Sequence, residues 1–230
     1  MLIELSVWPE SQNGSLSEPL IHTRDKMFTG IVQATCEVLA IDKKPGLNTL
    51  QIAIGPDLRE GLSLGASVAN NGVCLTVTRI EDDRVFFDVM EETLKLTNLV
   101  NLRPGSQVNI ERSLSFGSEI GGHILSGHVH TQAELISISQ TDMHYDICLS
   151  VDPKWMNYIL YKGFVGVNGC SLTVGNVTES SFMLHLIPET LKLTNLEQYA
   201  VGQKFNIEID SQTQAIVDTV ERVLAKRFGD

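Results

Sequence analysis

Two blocks of the chain place a nucleophilic side chain in the same setting. Asn71-Gly-Val-Cys-Leu-Thr-Val77 carries a thiol at Cys74, and Asn168-Gly-Cys-Ser-Leu-Thr-Val174 a hydroxyl at Ser171. Each is followed two residues later by a threonine, Thr76 or Thr173, and residues two apart share one face of a strand. Such a strip offers a ligand a thiol or a hydroxyl and then a second hydroxyl, the alternative being that both threonines are ordinary strand residues. Cys74 or Ser171 can add to an electrophilic carbon or simply bond a ligand, and ligand contact is the favoured reading for both. A buried, inert thiol is the ordinary alternative for Cys74 and for Cys170. His128 is the first choice for proton transfer, since imidazole exchanges protons near neutral pH. His128 and His130 share a strand face and His123 lies nearby, but no Cys or carboxylate at ligand spacing accompanies them, so no metal is expected. Asp210 precedes a helical pattern, either as its N-cap or as a stabilising charge.

The elements that must position these residues come in two copies. Glu92-Thr-Leu-Lys-Leu-Thr-Asn-Leu99 returns letter for letter as Glu189-Thr-Leu-Lys-Leu-Thr-Asn-Leu196, 97 residues later. The same offset lays the two blocks above on each other, Val108-Asn-Ile-Glu111 on Phe205-Asn-Ile-Glu208, and Phe28-Thr-Gly-Ile-Val32 on Leu125-Ser-Gly-His-Val129. A period near 100 residues is the size of a whole domain. The copies differ at Cys74 against Ser171, Asp88 against His185, Ile31 against His128, and Ser113 against Asp210, and these are the places to look for chemistry.

Composition narrows the partners. A net charge of -11 with no long Lys/Arg cluster argues against nucleic acid, whose binding is mostly phosphate neutralisation. No run of 18 apolar residues is present, so no membrane span is expected. A small neutral ligand fits better. The four cysteines lack C-x-x-C spacing and the density of a secreted framework, so reduced thiols and a cytoplasmic location are expected.

Residues 1–26 lie outside the repeat and read as an N-terminal extension, disordered or the product of an upstream start, with Met27 opening the first unit. From Met27 the pattern has period two, with Val32, Ala34, Cys36, Val38 and Ala40 on one strand face. Further strand-like runs cover 49–54, 67–80, 84–90 and 107–111, separated by Pro45-Gly46, Asn71-Gly72, Asp82-Asp83 and Pro104-Gly105. Six or so short strands per unit read as a barrel or a sandwich; closure hides the edges, so the expectation is an all-β chain of two tandem six-stranded Greek-key-type barrels, residues 27–122 and 123–210, linked through the glycine-bearing stretch 113–122. Val129, Thr131, Ala133 and Leu135 repeat the face of Val32, Ala34, Cys36 and Val38. Residues 211–230 predict an oligomerisation helix. Ser211-Gln-Thr-Gln214 has the form of a capping box, Val217, Val220, Leu224 and Phe228 form an apolar stripe, Lys226 and Arg227 occupy the last turn, and Gly229 stops it. Docking of that stripe on the second barrel is the alternative.

Met27-Phe-Thr-Gly-Ile-Val-Gln33, the paired Asn-Gly-x-[Cys/Ser]-Leu-Thr-Val blocks, Gly121-Gly-His-Ile-Leu-Ser-Gly-His128 and Ile207-Glu-Ile-Asp210 together resemble the riboflavin synthase family over residues 27 to about 228. The resemblance implies an enzyme of riboflavin biosynthesis that moves a four-carbon unit between two 6,7-dimethyl-8-ribityllumazine molecules, giving riboflavin and 5-amino-6-(D-ribitylamino)uracil. It implies no metal and no organic cofactor, a homotrimer, active sites between the first barrel of one subunit and the second of its neighbour, and association with lumazine synthase. His128, Ser171, Cys74, Asp210 and Thr173 are the catalytic candidates on this basis.

The expected ligand contacts of the first half are Phe28, Gly30, Ile31 and Val32, then Cys74, Leu75 and Thr76. Asp88, Val89, Met90, Glu91, Glu92 and Thr93 continue them. In the second half they are Gly127, His128, Val129 and Lys162, then Ser171, Leu172 and Thr173. His185, Leu186, Ile187, Pro188, Glu189 and Thr190 close the set. A polyol needs several donors and acceptors, which Glu92, Thr93, Glu189, Thr190, His185 and Lys162 supply. A non-catalytic fluorescent lumazine carrier of the same fold is the runner-up, and this chain keeps Cys74, His128, Lys162, Ser171, Thr173 and Asp210 against it. A reductase flavin barrel is more distant, as no G-x-G-x-x-G loop follows a strand.

Overall fold

A computed structural model describes residues 27–115, 117–141 and 144–228. The extension 1–26 and the stop at Gly229 lie outside the described residues. Among the described residues, alternating apolar residues and tight turns give twelve strands in two sets of six. The first set is β1 (Ala34–Lys44), β2 (Leu47–Ala53), β3 (Ser67–Asn70), β4 (Val73–Glu81), β5 (Arg84–Met90) and β6 (Gln107–Arg112). The second is β7 (Thr131–Gln140), β8 (Tyr145–Ser150), β9 (Phe164–Val167), β10 (Cys170–Val177), β11 (Ser181–Leu186) and β12 (Lys204–Ile209). Every pairing is antiparallel, and the barrels close in the orders β1-β2-β5-β4-β3-β6 and β10-β11-β8-β7-β12-β9, which are one topology. Closure leaves no free edge. Short helices α1 (Pro56–Arg59), α2 (Glu91–Leu96) and α3 (Pro188–Leu193) join strands, and α4 (Ser211–Phe228) ends the chain.

The barrels meet across a pseudo-two-fold axis at their Asn-Gly turns. Gly72 and Gly169 stand at φ 78° and 79°, and a Cβ on Gly72 would lie 2.6 Å from the backbone nitrogen of Gly169. Six buried asparagines surround this contact in three repeat pairs: Asn71 and Asn168, Asn98 and Asn195, Asn109 and Asn206. Asn98 N donates to Asn206 Oδ1 at 2.7 Å, and Asn195 N to Asn109 Oδ1 at 2.7 Å. Asn98 Nδ2 reaches Asn168 Oδ1 and Asn195 Nδ2 reaches Asn71 Oδ1, each at 2.9 Å. Asn109 Nδ2 and Asn206 Nδ2 donate to the carbonyls of Asn168 and Asn71 at 3.0 and 2.9 Å. These side chains satisfy backbone groups that the close approach removes from water.

The first strand face departs from its sequence pattern. β1 and β7 begin at Ala34 and Thr131, and Val32 and Val129 are not on their own barrels. Val32 packs into the core of the second barrel with Leu135, Leu172 and Ile207. Val129 packs into the core of the first with Val38, Leu75 and Ile110. The halves thus exchange one core residue each, which period-two alternation has no means of expressing.

The helix is corrected in one detail. Asp210, not Ser211, caps α4: its carboxylate accepts from Thr213 N at 2.9 Å and Thr213 Oγ1 at 2.7 Å. Tyr158 Oη donates to Asp218 at 2.6 Å and Asn157 Nδ2 to Glu221 at 3.3 Å, tying one side of α4 to the 3-10 turn 153–158. Its stripe stays open, with Val220, Leu224 and Phe228 at 51%, 49% and 72% exposure.

The turn contact carries a stability prediction. Gly46 has a similar φ of 79° with no atom near its would-be Cβ, so Gly46→Ala should cost only the left-handed penalty, about 1–2 kcal/mol. Gly72→Ala adds the collision with Gly169 and should cost about 3 kcal/mol or more. Urea unfolding of the two variants measures the difference.

Candidate functional site

The exchange that moves Val32 and Val129 also builds the two candidate sites. Phe28 and Leu125 pair as an isolated bridge on the two-fold axis, through N–H···O bonds of 2.8 and 3.0 Å. Beyond it each strand end crosses to the other barrel. Ser171 N donates to Gly30 O at 2.8 Å, and Cys74 N to Gly127 O at 2.9 Å. Both glycines have positive φ, 71° and 77°, and a Cβ on either would lie 2.5 Å from the Cβ of its partner, Ser171 or Cys74. Here only glycine lets the backbones touch.

The predicted residues therefore fall into two groups, each drawn from both halves. On the first barrel Cys74 and Thr76 of β4 lie beside Gly127 and His128 of the crossing segment. One step past the Val77↔Phe87 pair stands Asp88 of β5, leading to Met90, Glu92 and Thr93. On the second barrel Ser171 and Thr173 of β10 lie beside Gly30 and Ile31. One step past Val174↔Leu184 stands His185, leading to Ile187, Glu189 and Thr190. His128 is thus grouped with Cys74, while Ile31 is grouped with Ser171. The side chains of Phe28, Leu75, Val89, Leu172 and Leu186 are buried in apolar clusters, as are Val32 and Val129, so only their backbones can meet a ligand. Glu91 pairs with Lys95 at 2.6 Å on the surface, and the lysine holds its carboxyl below the usual range.

The asymmetric positions keep their hydrogen bonds but reverse the chemistry. Thr49 donates to Asp88 at 2.7 Å, and at the equivalent places His185 Nδ1 meets Asp146 at 2.7 Å. One barrel offers a ligand an acceptor-only carboxylate, the other an imidazole. Lys162 is exposed, with φ 64°, and its repeat equivalent Gly65 has φ 80°. Lys162 thus holds a backbone conformation in which glycine is the unstrained residue.

Sequence reasoning passed over His123 as a site residue. Its Nδ1 is 2.6 Å from Ser171 Oγ, its ring stacks on Phe164 at 5.3 Å, and its Nε2 is buried without a partner among the described residues. Burial pulls its pKa down against the opposing charge of Asp210. Burial also works against the Asp210 carboxylate, but bonds from Thr213 and Gln212 and the nearby His123 outweigh it and leave the pKa low. Asp210 therefore combines its helix cap with a charge that acts on His123. His130 is committed elsewhere, accepting from Ile209 N at 3.2 Å and meeting Gln214 at 3.2 Å. The other buried thiols are poor nucleophiles: desolvation pushes Cys170 up to about 12 and Cys36 up to about 11.

Glu111 and Glu208 were also missed, since their repetition in the Asn-Ile-Glu blocks signals structure as much as function. Each carboxylate clamps a crossing segment. Glu111 accepts from Thr29 N and Oγ1 at 2.7 and 2.8 Å and from Gly30 N at 3.0 Å. Glu208 accepts from Ser126 N and Oγ at 2.7 and 2.8 Å and from Gly127 N at 3.1 Å. Burial raises both pKa values against these bonds, that of Glu208 to about 7.

Comparison with known proteins bears on this geometry. The family model described as "Lumazine binding domain" matches residues 29–113 and again 126–210. The chain is 53% identical to riboflavin synthase of Escherichia coli (strain K12) over 202 residues, 87% of this chain and 95% of that one. Riboflavin synthase of Bacillus subtilis (strain 168) is 39% identical, over 80% of this chain and 85% of that one. Among solved structures, LumP complexed with 6,7-dimethyl-8-(1'-D-ribityl) lumazine matches with a TM-score of 0.72 and 25% identity, over 79% of this chain and 98% of that one. LumP complexed with riboflavin matches with a TM-score of 0.73 and 27% identity, over 78% and 97%.

The Glu208 clamp has a pH signature. Its folded pKa of about 7 lies above the ordinary 4.5, so the folded state holds that proton more tightly than the unfolded chain. The resulting stability is fully present below pH 4.5 and lost as pH rises through 7. Glu208→Gln, which cannot ionise, should flatten the stability curve in this window by on the order of 2 kcal/mol. Urea unfolding across the range measures it.

Proposed function

Since the chain belongs to the riboflavin synthase family, we propose that it catalyses the dismutation of two molecules of 6,7-dimethyl-8-ribityllumazine. A four-carbon unit leaves one lumazine and joins the other, giving riboflavin and 5-amino-6-(D-ribitylamino)uracil with no external oxidant or reductant. The enzyme is accordingly a transferase. The observation that carries this reading is the pair of like-built faces that differ only at particular places. Two copies of one substrate need two similar pockets, and their opposite roles as donor and acceptor need those pockets to be unequal.

Cys74 to Thr76 and Ser171 to Thr173 bind the two ring systems through strand backbone and side chains. Asp88, Glu92 and Thr93 on one barrel, and Lys162, His185, Glu189 and Thr190 on the other, take the ribityl hydroxyls. The donor must lose a proton from its 7-methyl group, which the electron-poor ring acidifies, and His128 is the base. The acceptor is activated by addition at C7, where water or the hydroxyl of Ser171 is the available nucleophile. His123, 2.6 Å from Ser171 Oγ, and the charge of Asp210 support that hydroxyl. The non-catalytic carrier reading is weaker, because this chain offers acid-base groups on both faces.

The open stripe of α4 supports a homotrimer joined through C-terminal helices, with the first barrel of one subunit facing the second barrel of the next. A cytoplasmic setting fits the sparse cysteines of the sequence, which lack C-x-x-C spacing.

Purified protein given 6,7-dimethyl-8-ribityllumazine alone should release one riboflavin per two lumazines consumed, followed by chromatography; binding without turnover would move the reading to the carrier. His128→Ala and Ser171→Ala should each lower kcat by about 100-fold or more while leaving ligand binding largely intact. Deleting residues 211–230 should dissolve the trimer in light scattering, and a truncated protein still trimeric would remove the role given to α4.

A further inference from the structure

The Glu208 clamp reaches further than the backbone of its segment. Ser126 Oγ, which lies 2.8 Å from Glu208 Oε1, is also 3.2 Å from His128 N and 3.0 Å from His128 Nδ1. A serine hydroxyl has one proton and two lone pairs. The proton goes to Glu208, a buried carboxylate, and one lone pair receives the His128 backbone N–H. The remaining lone pair faces Nδ1, so that nitrogen must carry a hydrogen. A proton on Glu208 leaves this unchanged: Oε1 accepts from Ser126 N and Oγ at 2.7 and 2.8 Å and shares Gly127 N, at 3.2 Å, with Oε2, at 3.1 Å, so Oε1 is the more heavily occupied oxygen. Any such proton therefore sits on Oε2.

We propose that Glu208 and Ser126 are positioning residues that fix His128 as the Nδ1–H tautomer, leaving the lone pair on Nε2 as the base. This rests on the reading of His128 as the proton-transfer group. The other half contains the same device without the imidazole. Thr29 Oγ1 donates to Glu111 at 2.8 Å and accepts from Ile31 N at 3.2 Å, and the residue it presents is isoleucine. One scaffold is therefore used twice, and it carries a base on one face only. Because an unconstrained imidazole prefers its hydrogen on Nε2, without Ser126 the lone pair would mostly occupy the wrong nitrogen.

The test is a long-range proton–nitrogen correlation spectrum of the labelled protein, with His128 assigned by its loss in His128→Ala. The Nδ1–H pattern is expected in the parent and in Ser126→Thr, since Thr29 makes the same set of bonds to Glu111. A shift to Nε2–H is expected in Ser126→Ala. With 6,7-dimethyl-8-ribityllumazine as substrate, Ser126→Ala should lose about 10- to 100-fold in kcat with KM little changed, a fraction of a full general-base factor, and Ser126→Thr should restore it. An Nε2–H tautomer in the parent, or parental kcat in Ser126→Ala, overturns the proposal. If Ser126→Ala does not fold, the parent and Ser126→Thr spectra still decide the tautomer. A His128→Ala variant with parental turnover would instead defeat the base assignment itself, whatever the spectra say.

Discussion

Everything in this molecule depends on two backbones being allowed to touch. Gly72 and Gly169 meet on the two-fold axis with no side chain between them, and water is excluded from the peptide groups around them. Six asparagines replace that water with directed bonds, each repeated across the axis within about 0.1 Å. An apolar contact would have left these N–H and C=O groups unpaired, at a cost of roughly 1–3 kcal/mol for each buried group. The polar axis then fixes where Phe28 and Leu125 pair, and that pairing aims Gly30 at Ser171 and Gly127 at Cys74.

Most of the architecture was legible in the sequence because duplication leaves a register. The 97-residue offset paired Cys74 with Ser171 and Asp88 with His185 before any coordinates, and the turns at Asn71-Gly72 and Asn168-Gly169 stand where the letters put them. The exchange was not legible. A symmetric swap of Phe28–Val32 for Leu125–Val129 preserves the offset and the hydrophobic pattern alike, so Val32 reads the same whether it fills its own barrel or its neighbour. For the same reason the sequence groups His128 with the second half, whereas its neighbour Gly127 stands against Cys74 of the first barrel. His123 escaped because its counterpart, Lys26, lies outside the repeat blocks. Glu111 and Glu208 escaped because identical residues draw no attention in a search for differences.

The two kinds of position divide the work. Repeated residues, the asparagines, the crossing glycines and the clamp carboxylates, give both faces one geometry. Unequal residues set the two faces apart: thiol against hydroxyl, carboxylate against imidazole, histidine against isoleucine, glycine against a lysine of positive φ at position 162. The strain at Lys162 and the burial of Glu208 are costs that packing alone does not explain, and both fall on residues beside a candidate ligand face.

The traded valines have a historical meaning. Each barrel is plugged by a residue that its own half does not supply, so a lone half would expose the opening that its missing partner fills. Two identical halves would plug each other by the same two-fold operation. The tandem chain is in effect a symmetric dimer whose subunits have been joined end to end, and joining them freed each copy to mutate separately. A dimer of one gene product must carry every change twice, whereas in the joined chain each of the two like faces can change alone.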